Sequence, residues 1–191
     1  ENEGKARYIG GGEESYGFLP EDFVRDKDSV SSISLMAEIA AWAKDKGMTM
    51  YQMLQDIYIK YGYSKEKGIS VVRKGKSGAE EIVAMMKNFR ENPMKELGGS
   101  PVILIKDYAS LEATDMVNGT KSKLDMPVTS NVLQYFSADG SKVSIRPSGT
   151  EPKIKFYIEV RGIKMDNYAD YDAANAAADA KIEAIKKELG I

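Results

Sequence analysis

The clearest pattern of apolar and polar positions lies in the last third of the chain. Ile154, Phe156, Ile158 and Val160 alternate with Lys155, Tyr157 and Glu159, the two-residue period of a half-buried strand. Val143 and Ile145 alternate in the same way just before it. Between the two runs stands Arg146-Pro147-Ser148-Gly149-Thr150-Glu151-Pro152, far longer than the two-residue turn that closes an ordinary hairpin. A second hairpin is expected from residues 132–136 and 142–145 across Ala138-Asp139-Gly140, and residues 102–105 read as a continuous apolar strand.

Elsewhere the period is helical. Asp28 or Ser29 can cap a helix with the apolar stripe Ile33, Met36, Ala40 and Ala43, stopping near Gly47. Thr49 and Gln52 have capping-box spacing for a second helix carrying Met50, Met53, Leu54, Ile57, Tyr58 and Tyr61, with Gly62 as its stop. A short strand is expected at 69–73. Ser77 and Glu80 then offer a capping box for a helix with Ile82, Val83, Met86 and Phe89, and Pro93 lies beyond its end. Residues 109–129 lack a clear period and read as a loop. A closing helix places Tyr171, Ala174, Ala178, Ile182, Ile185 and Leu189 on one face. Trp42 and the methionines fall on helical stripes and read as core.

The pattern changes character between residues 60 and 68, which puts a boundary between 1–62 and 63–191. The first part is a glycine-rich loop followed by two helices. The second reads β-α-β-β-β-α, an antiparallel sheet of about four strands covered by two helices, an α+β arrangement.

Composition narrows the function. The formal net charge is -2 over 191 residues, so the basic field that nucleic-acid binding needs is missing. No apolar run is long enough for a membrane span. There is no cysteine, which excludes disulfides and thiolate chemistry and suits a reducing cytoplasm. There is no histidine either, which removes the commonest general base and metal ligand. The opening ENEGKARYIGGG has neither an initiating Met nor a signal-peptide pattern and reads as though cut from something longer.

Two loops can carry chemistry. In the 146–153 loop, Arg146 offers a planar fork of donors suited to phosphate oxygens, and Ser148 and Thr150 add hydroxyls. Gly149 permits a positive φ that would turn backbone N–H groups into an anion nest, Pro147 and Pro152 stiffen the ends, and Lys153 adds charge at the rim. The plain alternative is a polar hairpin connection. In Gly10-Gly11-Gly12-Glu13-Glu14-Ser15, Glu13 and Ser15 can project together toward vicinal hydroxyls of a sugar; the alternative is a strand end with solvated glutamates. Asp26-Lys27-Asp28 could be imagined around Mg²⁺, but it stands at a helix start, where Asp is expected as a cap.

Taken together, Gly12-Glu13-Glu14-Ser15-Tyr16-Gly17 and, roughly 130 residues later, the 146–153 loop resemble the two C-terminal signature loops of the α-D-phosphohexomutase superfamily, the phosphoglucomutases and phosphomannomutases. The resemblance covers essentially the whole chain. It implies that residues 1–62 are the end of the family's sugar-binding α/β third domain and that 63–191 are its phosphate-binding fourth domain. It further implies interconversion of hexose 1-phosphate and hexose 6-phosphate through a bisphosphorylated intermediate and an enzyme phosphoserine. Glu13 and Ser15 match the sugar-contacting positions. Arg146, Ser148, Gly149 and Thr150 match the phosphate clamp, with Lys153 as a further candidate.

Mg²⁺ and a glucose 1,6-bisphosphate-type activator are expected of a full-length enzyme, and neither is expected to be held by this chain. The expected partners are a phosphorylated hexose and the missing N-terminal domains, not nucleic acid or membrane. Many relatives end the sugar loop in Gly-His, where Tyr16 and Gly17 stand here. The family's phosphoserine sits in a Ser-His-Asn-Pro context, which a chain without histidine cannot contain. The chain alone is therefore expected to be inactive, the substrate-recognition part of an isomerase. The alternative is a stand-alone sugar-phosphate binding module.

Overall fold

The computed structural model of the protein describes residues 7–13, 17–23 and 26–191, with the side chains of Glu13 and Lys76 excepted. The chain divides into two compact units, Glu1–Ile57 and Tyr58–Ile191.

In the first unit, strands β1 (Gly11–Glu13) and β2 (Gly17–Leu19) pair antiparallel, with Glu13 opposite Gly17. The glycines serve this pairing. A Cβ at Gly10 or Gly12 would stand 3.0 or 3.2 Å from the Phe18 ring, and one at Gly11 would stand 2.9 Å from the Tyr8 hydroxyl. The Tyr8 hydroxyl donates to the Leu19 carbonyl at 2.9 Å. Helix α1 (Ser29–Asp45) is capped as expected: Asp28 accepts from the Ser31 N–H at 2.7 Å and from its hydroxyl at 2.6 Å. The Phe18 N–H donates to Ser32 Oγ at 3.1 Å, which fastens the hairpin to the first turn of α1.

Helix α2 (Met50–Tyr61) begins on the predicted capping box, Thr49 N–H to Gln52 at 2.8 Å and Gln52 N–H to Thr49 Oγ1 at 3.1 Å. The expected apolar stripes are largely uncovered. Ile33 is 69% exposed and Trp42 53%, whereas Ala43 is the buried residue of α1. Met36, Leu54 and Ile57 are likewise exposed. The physical reason is supply: two helices and a hairpin of two three-residue strands offer too little surface to cover two apolar faces.

The second unit is built on one antiparallel sheet. Its strands are β3 (Tyr63–Val72), β4 (Glu96–Leu97), β5 (Ser100–Asp107), β6 (Glu112–Asp115), β7 (Lys121–Lys123), β8 (Leu133–Ser137), β9 (Lys142–Pro147) and β10 (Lys153–Ile163). The order is β3-β10-β9-β8-β5-β6-β7, and β4 pairs with β5. Helices α3 (Gly75–Glu91) and α4 (Tyr171–Leu189) contribute to the core on one face. The α+β, antiparallel arrangement with two helices stands, but the sheet is twice the expected size.

The additional strand length is polar. β3 starts at Tyr63, six residues before the expected strand, through the charged Lys65, Glu66 and Lys67, as suits an edge strand. β6 and β7 lie in the stretch read as loop; Ala113 is the buried residue of β6, and all of β7 is exposed.

The core follows the alternation. Ile154, Phe156, Ile158 and Val160 are at most 1% exposed, each burial worth about 1.5–3 kcal/mol. Phe156 meets Phe89 of α3 edge-on at 6.0 Å between ring centroids. Ala174, Ala178, Ile182, Ile185 and Leu189 of α4 are all buried, and Gly190 ends the helix at φ 73°. The buried Tyr135 hydroxyl donates to the Phe89 carbonyl at 2.6 Å.

Two expectations for α3 need correcting. The helix starts at Gly75 with Lys74 as its cap, so Ser77 and Glu80 lie inside its first turns and are not a capping box. Val83 is 69% exposed; Ile82, Met86 and Phe89 face inward.

Candidate functional site

The 146–153 loop joins two rigid strands whose register is continuous up to its edge. Pro147 pairs with Ile154, Arg146 with Lys155 and Ile145 with Phe156. Ile145, Ile154 and Phe156 are buried at 0% exposure. By the strand's alternation, Arg146, Lys153, Lys155 and Tyr157 therefore face away from the core, on the opposite side from α3 and α4. Arg146 is exposed and Lys153 half-buried.

The loop is closed on itself. The Ser148 N–H donates to the Lys153 carbonyl at 2.8 Å, and the Lys153 N–H to the Glu151 carbonyl at 2.7 Å. The N–H groups of Thr150 and Glu151 both point at Ser148 Oγ, at 3.4 and 3.2 Å. Two donors thus converge on one oxygen, the arrangement an anion's oxygen needs. The Arg73 N–H at the end of β3 ties the loop down by donating to the Pro152 carbonyl at 2.9 Å. Gly149 departs from expectation. Its φ is not among the positive ones, and an added Cβ would meet no protein atom within 4 Å. The convergence of donors comes from the serine turn, not from a left-handed glycine.

An open cavity of about 410 Å³ lies against this loop, and Arg146, Ser148, Thr150, Lys153, Lys155 and Tyr157 are among the residues on its wall. Glu151, the awkward carboxylate of the loop, is paired with Lys153. That hydrogen bond and charge, with Lys155 adding to them, hold the Glu151 carboxyl below its ordinary value. A larger cavity of about 650 Å³ borders α3 and the end of α4. Its Arg73 is paired with Glu81 at 3.2 Å, its Glu188 accepts from the Gly98 N–H at 2.9 Å, and Lys187 is a second cation on its wall.

The structure thus brings Arg146, Ser148, Gly149, Thr150 and Lys153 together. Of the other loop, Ser15 and the Glu13 side chain lie outside the described residues; the backbone of Glu13 closes the β1–β2 hairpin. Asp28 is spent on the α1 cap, and Asp26 accepts from the Lys27 N–H at 2.9 Å. Among the described residues no group of three or more acidic, His or Cys side chains could hold a metal ion. Lys155 and Tyr157 were not among the sequence candidates. Counting outward from the loop along the strand alternation would have found them, since both share a face with Lys153.

Comparison with known proteins matches two stretches of the chain to one family. The family description "Phosphoglucomutase/phosphomannomutase, alpha/beta/alpha domain III" matches residues 2–61, and "Phosphoglucomutase/phosphomannomutase, C-terminal domain" matches residues 104–164. The chain is 39% identical over 157 residues to a phosphoglucomutase of Staphylococcus aureus and 35% identical over 156 residues to one of Staphylococcus haemolyticus. Each alignment covers 82% of this chain and 28% of the relative; the chain spans less than a third of the length of these proteins. A crystal structure of the exocytosis-sensitive phosphoprotein parafusin, a phosphoglucomutase from Paramecium in its open form, aligns over 96% of this chain and 31% of its own, with a TM-score of 0.52 and 19% identity. That likeness is one of fold.

Proposed function

The chain belongs to the phosphoglucomutase/phosphomannomutase family, and from that premise we propose that it is the substrate-recognition part of a phosphohexomutase. Residues 63–191 hold the phosphate of a hexose phosphate in the 146–153 loop. Residues 1–62 read the sugar through Glu13 and Ser15. The phosphoserine that exchanges phosphoryl groups with the sugar, the Mg²⁺ site and the response to a bisphosphate activator belong to parts of the enzyme outside this chain. The chain alone is inactive, and the reaction takes place in the cytoplasm, which suits a sequence without cysteine.

The observation that carries this reading is the 146–153 loop itself: a charged fork, two hydroxyls and two converging backbone donors, held between strands whose other faces are buried core. Such a site spends little conformational entropy on binding, because the flanking register is already fixed. Arg146 supplies charge-assisted bonds to phosphate oxygens. Ser148 Oγ now takes the Thr150 and Glu151 N–H groups; turning its hydroxyl outward hands them to the anion. Catalysis gains orientation from this, since the non-reacting phosphate is fixed while the reacting end meets the nucleophile. A clamp that binds phosphate at either end of the sugar also suits a bisphosphorylated intermediate that turns round between its two half-reactions.

Titration calorimetry of the chain with glucose 6-phosphate and with glucose tests the reading. Binding of the phosphorylated sugar at least tenfold tighter than glucose is expected; equal affinity for the two refutes the clamp.

A further inference from the structure

The turn between β6 and β7 holds a reactive pair that phosphate binding leaves unused. Its sequence is Asp115-Met116-Val117-Asn118-Gly119-Thr120, and Asn118 is the one asparagine of the chain that is followed by glycine. Every residue from Met116 to Thr120 is exposed. Gly119 takes φ 74°, and the space where a Cβ would stand is empty. It therefore brings no side chain to crowd its own backbone nitrogen, whose N–H donates to the Asp115 carbonyl at 2.9 Å. Asn118 Oδ1 accepts from the Thr120 N–H at 3.1 Å and from the Thr120 hydroxyl at 2.8 Å. A bond to the N–H two residues ahead folds the side chain over the intervening peptide, which brings Cγ toward the Gly119 nitrogen. Two donors on one carbonyl oxygen also stabilise the negative charge that builds there when its carbon is attacked.

We propose that Asn118 is a site of self-modification, in which the Gly119 nitrogen closes on Cγ while Thr120 supplies the donors to the oxygen. The Gly119 N–H leaves the Asp115 carbonyl and gives its proton to a base from solvent. An N–C bond forms to Cγ, and the bond from Cγ to the side-chain nitrogen breaks. The base returns its proton to the leaving amino group, which departs as ammonia. Water then adds to either carbonyl carbon of the cyclic imide and breaks one of its C–N bonds. An aspartyl or isoaspartyl linkage is left at position 118, with no oxidation or reduction. The product is a carboxylate beside that of Asp115, whose Oδ1 accepts from the Val117 and Asn118 N–H groups at 2.8 and 3.2 Å. Two like charges favour opening of the turn. The exposed β7 is held by three residue pairs to β6 and by the Lys121–Glu112 ion pair at 2.7 Å. In the sheet β7 stands four strands from β9, and the inference does not depend on the phosphate reading.

The experiment is peptide mapping by mass spectrometry of the chain held at 37 °C at pH 6 and pH 8.5, folded and in urea, for wild type, Asn118→Gln, Thr120→Val and Thr120→Ser. Conversion at 118 is expected to outpace that at every other asparagine at least tenfold. It is expected to rise with pH, because the attacking nitrogen must lose its proton. Asn118→Gln, which needs a larger ring, is expected to convert at least tenfold more slowly. Thr120→Val lacks the hydroxyl and is expected to slow conversion threefold or more in the folded chain but not in urea. Thr120→Ser, which keeps both donors, is expected to stay within twofold of wild type. Conversion at 118 no faster than at the other asparagines overturns the proposal, the bond from Gly119 to Asp115 then being protective. Equal rates for wild type and Thr120→Val in the folded chain overturn the role given to Thr120.

Discussion

Replacing Asp139 by Asn probes the support of strand β9, which carries Arg146. Asp139 occupies the turn between β8 and β9. Its carboxylate accepts from the Ser137 hydroxyl at 2.7 Å, from the Ser141 N–H at 3.1 Å and from the Lys181 ammonium of α4. Desolvation pushes the carboxyl up, but the bonds from Lys181, Ser137 and Ser141 outweigh it and hold the group well below the usual carboxylate range. Asn can still accept from Ser137 and Ser141. It removes the charge facing Lys181, whose side chain is only 13% exposed.

A hydrogen bond to a charged group contributes about 1.5–3 kcal/mol, and the 29% exposure of the Asp139 side chain places the loss toward the lower end. The expected cost is about 2 kcal/mol, or about 4–8 °C in melting temperature for a chain of this size. The pH dependence has a definite sign. Because the folded carboxyl is depressed, its stabilisation is complete above an unfolded value of about 4 and is lost as pH falls toward the folded value. Urea titrations of wild type and Asp139→Asn at pH 7 and pH 3 should show a gap that narrows at the lower pH. A gap under about 0.5 kcal/mol at pH 7, or one of equal size at both, refutes the reasoning.

Three further outcomes are expected. Gly78→Ala should destabilise by about 1–3 kcal/mol, because its Cβ would lie 2.3 Å from the Arg73 carbonyl oxygen; the amide signals of Arg73 and Lys153 should shift too, since the Arg73 N–H holds the Pro152 carbonyl. Unchanged stability measured by denaturant titration contradicts this. Thr150→Ala should weaken glucose 6-phosphate binding by about 1 kcal/mol, the worth of an ordinary hydrogen bond; a loss as large as that of Arg146→Ala, measured by calorimetry, counts against the assigned roles. Hydrogen exchange should be faster across α1 than across β9 and β10, because α1 buries only Ala43 whereas these strands form the core; equal protection is the contrary result.

How far the sequence revealed the fold depended on burial. The strand from Ile154 to Val160 was legible because one face lies entirely in the core and its polar neighbours stay outside. The Asp28 cap and the Thr49–Gln52 box were legible because their chemistry is local. β6 and β7 were not, because Glu112–Asp115 buries little beyond Ala113 and Lys121–Lys123 buries nothing; backbone pairing of β6 to β5 and of β7 to β6 makes them strands. The start of α3 was misplaced because Ser77 and Glu80 have capping spacing while the chain had already turned into the helix at Gly75, φ 78°. Trp42 and Met36 look like core on a helical wheel, but a wheel cannot show whether anything covers the face. At the site, the loop residues were legible from their chemistry and Lys155 was not, because its partner Arg146 is adjacent across the sheet and not along the chain.

The central claim is that the 146–153 loop is a preformed phosphate cradle, and the most direct test is a two-dimensional amide NMR titration of the chain with glucose 6-phosphate beside the Arg146→Ala variant. The account predicts shifts concentrated at residues 146–157 in wild type, absent with glucose and lost in the variant. Shifts that centre elsewhere, or that persist unchanged in Arg146→Ala, contradict it.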